Sequence, residues 1–119
     1  MLKKLKYSKN QRLLNNSQFK AVIDSKKRYA GELFVLYVAE NGLQQWRLGI
    51  CVTTANYCAV SRNRIRRLVR EVFRINQEKL PAGYDFVVML AKSADKVVVK
   101  KLTLSMAELG LLKLVNKVT

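Results

Sequence analysis

The clearest pattern in the chain runs from residue 61 to residue 77. Ile65, Leu68, Val69, Val72 and Phe73 fall at i, i+3, i+4, i+7 and i+8, which lines them up as one stripe of an α-helix. Pro81 and Gly83 follow and are expected to stop it. Further upstream, Phe19, Val22 and Ile23 share one helical face, with Asn16 or Ser17 placed to cap it. Lys26-Lys27-Arg28 is expected to end that helix as cations beside its negative terminus. Residues 33–39 (LFVLYVA) and 46–53 (WRLGICVT) are rich in β-formers, and Asn41-Gly42 between them signals a hairpin turn. Residues 29–32 add a short edge strand. The continuous apolar run 84–91 (YDFVVMLA) predicts a buried strand. A last helix is predicted over 98–116, with Leu102, Met106, Leu109 and Leu112 inward and Gly110 weakening its centre. The order α-β-β-β-α-β-α makes an α/β (α+β) sandwich, a sheet of about four strands covered by helices on one face.

Composition narrows what such a domain does. A chain of 119 residues supports one domain, and its half-hydrophobic, quarter-charged make-up is that of a folded protein. It carries 23 Lys+Arg against 8 Asp+Glu, a net charge of +15. So large a self-repulsion in so small a domain calls for a polyanionic partner, either nucleic acid or an anionic membrane surface. The charge is held in two blocks. Residues 1–28 have nine Lys/Arg and one acid, and residues 60–80 have seven and two. Residues 1–11 read as a flexible basic arm before the domain. The apolar runs are strand-sized, so no membrane span or signal peptide is expected. Histidine is absent, and Cys51 and Cys58 form no CxxC pair, which excludes a Cys/His zinc site and any histidine-based catalysis. Two reduced thiols and a bacterial cytoplasmic setting fit this pattern.

The predicted central helix concentrates the candidate chemistry. Six arginines (62, 64, 66, 67, 70 and 74) fill most of the arc opposite its apolar stripe. Glu71 stands four residues after Arg67, and Glu78 four after Arg74, in reach to pair. Arg62, Arg64 and Arg66 lie in or near the expected first turn, against the local dipole preference. A phosphate there would meet free backbone N–H groups and guanidinium forks together. Arginine in place of lysine favours two-pronged phosphate contact. The competing readings are a solvated basic face and an amphipathic helix lying on a membrane. The apolar stripe is more economically used against the sheet.

The run from Ala59 to Arg74, centred on Arg62-Asn63-Arg64, closely resembles the signature of the bacterial ribonuclease P protein family. Arg12-Leu13 with Phe19 and Val22, Phe34 to Tyr37, Arg47 to Ile50, and Leu80-Pro81 with Tyr84 to Val88 match its other segments in order. The resemblance spans roughly residues 12–91. It implies a mixed sheet with a left-handed β-α-β crossover, whose helix sets Arg62, Asn63, Arg64, Arg66, Arg67, Arg70 and Arg74 against the catalytic RNA subunit. It also implies a cleft between the first helix and the sheet that binds the single-stranded 5′ leader of precursor tRNA. The matching positions are Arg12, Phe19, Ile23, Val35 and Tyr37. An aromatic-lined groove stacks unpaired bases without reading their sequence. In one departure, Thr54, Ala55 and Cys58 stand where relatives often have lysines.

The resemblance further implies that the RNA subunit does the chemistry, with Mg2+ held mainly by that RNA and the substrate. No catalytic residue and no metal ligand is assigned to the protein, whose eight acids are scattered. The expected partners are ribonuclease P RNA and precursor tRNA, with no membrane and no small-molecule substrate. The expected activity is endonucleolytic removal of the tRNA 5′ leader. Two other classes compete: an RNA-binding module with no part in processing, such as a ribosomal protein or RNA chaperone, and a nuclease that acts without RNA. Copurification with one RNA of defined size separates the first, and sensitivity of the activity to added ribonuclease separates the second.

Overall fold

The computed structural model describes residues 16–25, 27–52, 57–91, 94 and 96–118. Its elements in chain order are α1 (Asn16–Asp24), β1 (Lys27–Ala30), β2 (Phe34–Glu40), β3 (Arg47–Cys51), α2 (Ala59–Ile75), β4 (Tyr84–Leu90), α3 (Lys96–Lys100) and α4 (Leu104–Val115). A single 3-10 turn, Gln77–Lys79, follows α2. The four strands form one mixed sheet in the order β1-β2-β4-β3. β4 pairs antiparallel with β2, from Phe34 opposite Leu90 to Glu40 opposite Tyr84, and parallel with β3.

The expected β2–β3 hairpin is therefore not formed, because β4 lies between the two strands. Phe86, Val87 and Val88 are all buried, so β4 is apolar on both faces and belongs at the centre of the sheet. Asn41-Gly42 does turn the chain, with Gly42 at φ 68°. The connection then straddles the start of β4: Asn41 N–H donates to Gly83 O at 2.9 Å, and Gly83 N–H donates to Gln45 O at 3.2 Å. Arg47 completes the latch with a two-pronged contact to Asp85 (2.7 and 2.6 Å), whose Oδ1 also accepts from Asn41 Nδ2 at 2.8 Å.

Alternation along the strands builds two cores. Phe34, Leu36 and Val38 of β2, with Phe86 and Val88 of β4, face α2 and α4. Phe73 of α2 is wedged between Trp46 and Phe86, edge-on to both, at ring centroids of 5.6 and 5.9 Å. The opposite face is not bare, as a one-sided sheet would have it. There Val22 of α1 seats on Val87, with Phe19, Tyr37, Ala39, Cys51 and Met89 around them.

Several boundaries shift for local reasons. Asn16 and Ser17 lie within α1, not before it, and Lys27 and Arg28 belong to β1 (Lys26 is outside the described residues). The Ser25 hydroxyl closes α1, lying 2.6 Å from both Val22 O and Val38 O and donating to one at a time. The edge strand occupies 27–30, earlier than 29–32. α2 ends at Ile75, well before Pro81, because Asn76 turns out of helical geometry and its Nδ2 donates back to Val72 O at 2.8 Å. The last helix is two helices. Thr103 restarts the chain as an N-cap, its side chain accepting from Met106 N–H at 3.3 Å. That restart rotates the buried face of α4 to Ala107, Leu111, Leu114 and Val115, leaving Met106 and Leu109 exposed. Leu102 is buried, but in the connection between the helices.

Candidate nucleic-acid interface

α2 is positioned by Ile65, Val69, Val72 and Phe73, all buried against the sheet and α4. Its opposite side carries the arginines. Asn63, Arg67 and Arg70 are exposed, and Arg62, Arg64, Arg66 and Arg74 are half-buried. The fan is neither enclosed in the domain nor cancelled by acids. A depression of about 580 Å³ opens on it, lined by Asn63, Arg66, Arg67, Arg70 and Glu71. Arg66 Nη1 donates to Asn63 Oδ1 at 3.1 Å, which stiffens that wall.

The arginines are not equivalent. Arg74 is paired with Glu71 three residues earlier, its Nε 3.1 Å from both carboxylate oxygens. The bonded Arg74 guanidinium holds the Glu71 carboxyl below its usual range. Glu71 thus takes Arg74, where the spacing predicts Arg67. Arg64 reaches away from the fan, with Nη1 donating to Lys100 O at 3.1 Å and Nη2 to Leu102 O. Arg62 has its Nε shielded and without a hydrogen-bond partner.

The helix also starts two residues earlier than the sequence predicts. Arg62 N–H already donates to Cys58 O at 3.0 Å, so the free N–H groups of the first turn precede it, and Arg64 and Arg66 sit in the second turn. Cys58 occupies the N-cap without capping, its Sγ 3.4 Å from Ser61 Oγ. Hydrogen bonds from Ser61 and the nearby backbone hold its thiol below the usual range.

The second candidate surface lies across the sheet. Val35 is 6% exposed and forms floor, while Tyr37 is half-buried and shares the α1-side cluster with Phe19. Ile23, at 36% exposed, stands on the outer side of α1 and does not join them. Arg12 lies outside the described residues. Beside Tyr37 and Val35 opens a depression of about 350 Å³ that also takes in Arg28 and Met89. Arg28 lines this depression and was not singled out for it in the sequence. Its signal was strand alternation, which sets it beside Tyr37 across β1 and β2.

Among the described residues no three His, Cys, Asp or Glu stand together to hold a metal ion. Three of the described acids are engaged elsewhere: Asp85 binds Arg47, Glu71 binds Arg74, and Glu108 accepts from Asn76 Nδ2 at 2.9 Å. These side chains do not fit a Mg2+ site. Nor is any helix among the described residues long and apolar enough to cross a membrane.

Known proteins share this sequence and fold. The family model for Ribonuclease P matches residues 7–113. The Ribonuclease P protein component of Pseudomonas aeruginosa is 43% identical over 93 residues, covering 76% of this chain and 68% of that protein. Its counterpart from Natranaerobius thermophilus is 38% identical over 85 residues, covering 71% and 74%. The structure of the RNase P protein from Thermotoga maritima superimposes with a TM-score of 0.79 at 30% identity, over 91% of this chain and 97% of that one. On these matches and this geometry, the chain belongs to the ribonuclease P protein family, the protein component of a ribonucleoprotein endoribonuclease that processes tRNA.

Proposed function

We propose that the chain binds the catalytic RNA subunit through the arginine face of α2 and holds the 5′ leader of precursor tRNA in the cleft between α1 and the sheet. The observation that carries the reading is the α2 face itself. Arg66, Arg67 and Arg70 line one open depression with a single acid, on a helix whose other side is locked into the core. Rigid guanidinium forks suit a folded polynucleotide, whose phosphates are fixed in space. Bond cleavage is assigned to the RNA subunit, and the protein is given a binding role. The chain's part is to lower the repulsion between two polyanions and to fix the leader. Bacterial cytoplasm is the compartment in which both partners meet.

On the cleft side, Arg28 supplies a cation beside Tyr37, which packs in one cluster with Phe19. A ring that keeps part of its surface open stacks a base, and the cation tracks the adjoining phosphate. Val35 contributes floor only.

The test is reconstitution with ribonuclease P RNA and leader cleavage at low magnesium. Arg67→Glu with Arg70→Glu is the cleaner pair, because Arg64 is engaged with main-chain carbonyls. The double change should weaken RNA binding by about a hundredfold at moderate salt, as loss and reversal of two phosphate contacts. Low-magnesium cleavage should fall with it. Undiminished cleavage would remove the α2 face from the function.

A further inference from the structure

We propose that the turn after α3 carries a second phosphate-binding site for the RNA subunit, made by Lys100 and Lys101 and fixed to the arginine face by Arg64. The proposal rests on the RNA-binding reading of α2 and extends that surface onto a different element.

Arg64 belongs to α2, yet its guanidinium is spent on α3. It donates to Lys100 O at 3.1 Å and to Leu102 O. The last carbonyls of a helix have no partner of their own. Here a side chain from another helix supplies it. The backbone at this corner is tied down from within as well: Val99 and Leu102, at 1% and 0% exposed, bracket the two lysines in the core. Lys101 N–H is shared between Val97 O at 3.2 Å and Val98 O at 3.1 Å. Lys100 and Lys101 are therefore mounted at fixed points relative to α2, with both side chains exposed.

Among the described residues neither lysine is ion-paired. Three cations thus gather at one hydrogen-bonded corner. Such a cluster repels itself in the free protein and is relieved by a polyanion. Lysine heads, as compact charges on flexible stems, accept a phosphate from many directions, which suits a backbone contact that reads no sequence. Arg64 has two of its nitrogens committed to carbonyls, so it acts as a positioning residue that sets α3 beside α2.

The experiment measures affinity of the protein for ribonuclease P RNA across a potassium chloride series. Lys100→Ala with Lys101→Ala should weaken binding about tenfold at moderate salt and flatten the log–log slope by about 1.5 units, the share of two phosphate contacts. The thermal unfolding midpoint should stay unchanged, since both side chains are exposed. Arg64→Lys keeps the charge and loses the fork. It should flatten the slope as well, which the loss of a purely structural bond would not do. If the lysine pair leaves the slope unchanged while Arg67→Glu with Arg70→Glu abolishes binding, the α3 site is overturned and the α2 reading stands. If neither pair alters binding, the RNA-binding reading itself falls.

Discussion

The two candidate surfaces lie on opposite faces of one sheet and are built on opposite plans. The α2 face is charge on a rigid mount: Phe73, Val69 and Ile65 bury its underside, and the arginines project from it. The α1 face is half-covered apolar surface, with Val22 and Val87 buried at its centre and Tyr37 and Phe19 left partly open. A folded RNA presents phosphates at fixed positions, so a stiff array of forks suits it. A single-stranded leader has no fixed shape, so ring faces and a nearby cation suit it better. The difference also shows in what each side leaves undone. On the α2 face Arg66, Arg67 and Arg70 line an open depression, and on the α1 face Tyr37 and Phe19 keep part of their rings uncovered.

The largest expected effect comes from the mount. Phe73→Ala removes the ring between Trp46 and Phe86 and should cost about 3–5 kcal/mol of stability. Denaturant unfolding reads this directly. Both surfaces should fail together, because the same core backs the sheet that carries them. Retention of leader binding with loss of RNA binding would show that the α1 face stands without the larger core.

A smaller effect separates the surfaces. Tyr37→Ala should weaken binding of leader-bearing precursor tRNA to the holoenzyme by about 1–3 kcal/mol, the worth of one stacked base. Affinity for the RNA subunit, and its salt dependence, should not move. Mature tRNA, which lacks the leader, should bind as before. A matching loss for mature tRNA would place Tyr37 in folding and not in the cleft.

How much of this was legible in the sequence depends on whether the signal was local. The stripe on α2 could be read because Ile65, Val69, Val72 and Phe73 repeat at helical spacing, and all of them are buried. The arginine face followed from the same period. The β2–β3 pairing could not be read, because Asn41-Gly42 reports a turn and not which strands it joins. Burial of β4 on both faces, a demand of the whole sheet, decided that. The phase of α4 failed for a related reason: Thr103 breaks the run, and the count restarts from it. Arg64 looked like one fork of six. Its bonds to Lys100 O and Leu102 O join residues 36 and 38 positions apart, beyond any local pattern. Tyr37 and Phe19 came out together, whereas Ile23, on the same short helix, faces outward.

The smallest effect tests whether the α2 face is tuned down by its own acid. Glu71 is held below the usual carboxylate range, first by its hydrogen bond to Arg74 and then by the charge of that group. A carboxyl with a lowered folded pKa contributes stability above its unfolded pKa and loses it as pH falls through the folded one. The pair is half-buried at the surface and screened by solvent, so its share of folding is small. Its share of binding should be easier to see. Glu71→Gln removes the charge that Arg74 pairs with here and the one acid lining the depression. Affinity for ribonuclease P RNA should rise about threefold at moderate salt, and the log–log slope should steepen by somewhat under about one unit. Acidifying the wild-type protein through the Glu71 titration should move affinity the same way, and the variant should lose that response. A Glu71→Gln protein with unchanged affinity and slope would mean that the Glu71 charge does not act on the bound RNA, and the idea of an acid-tuned face would fall.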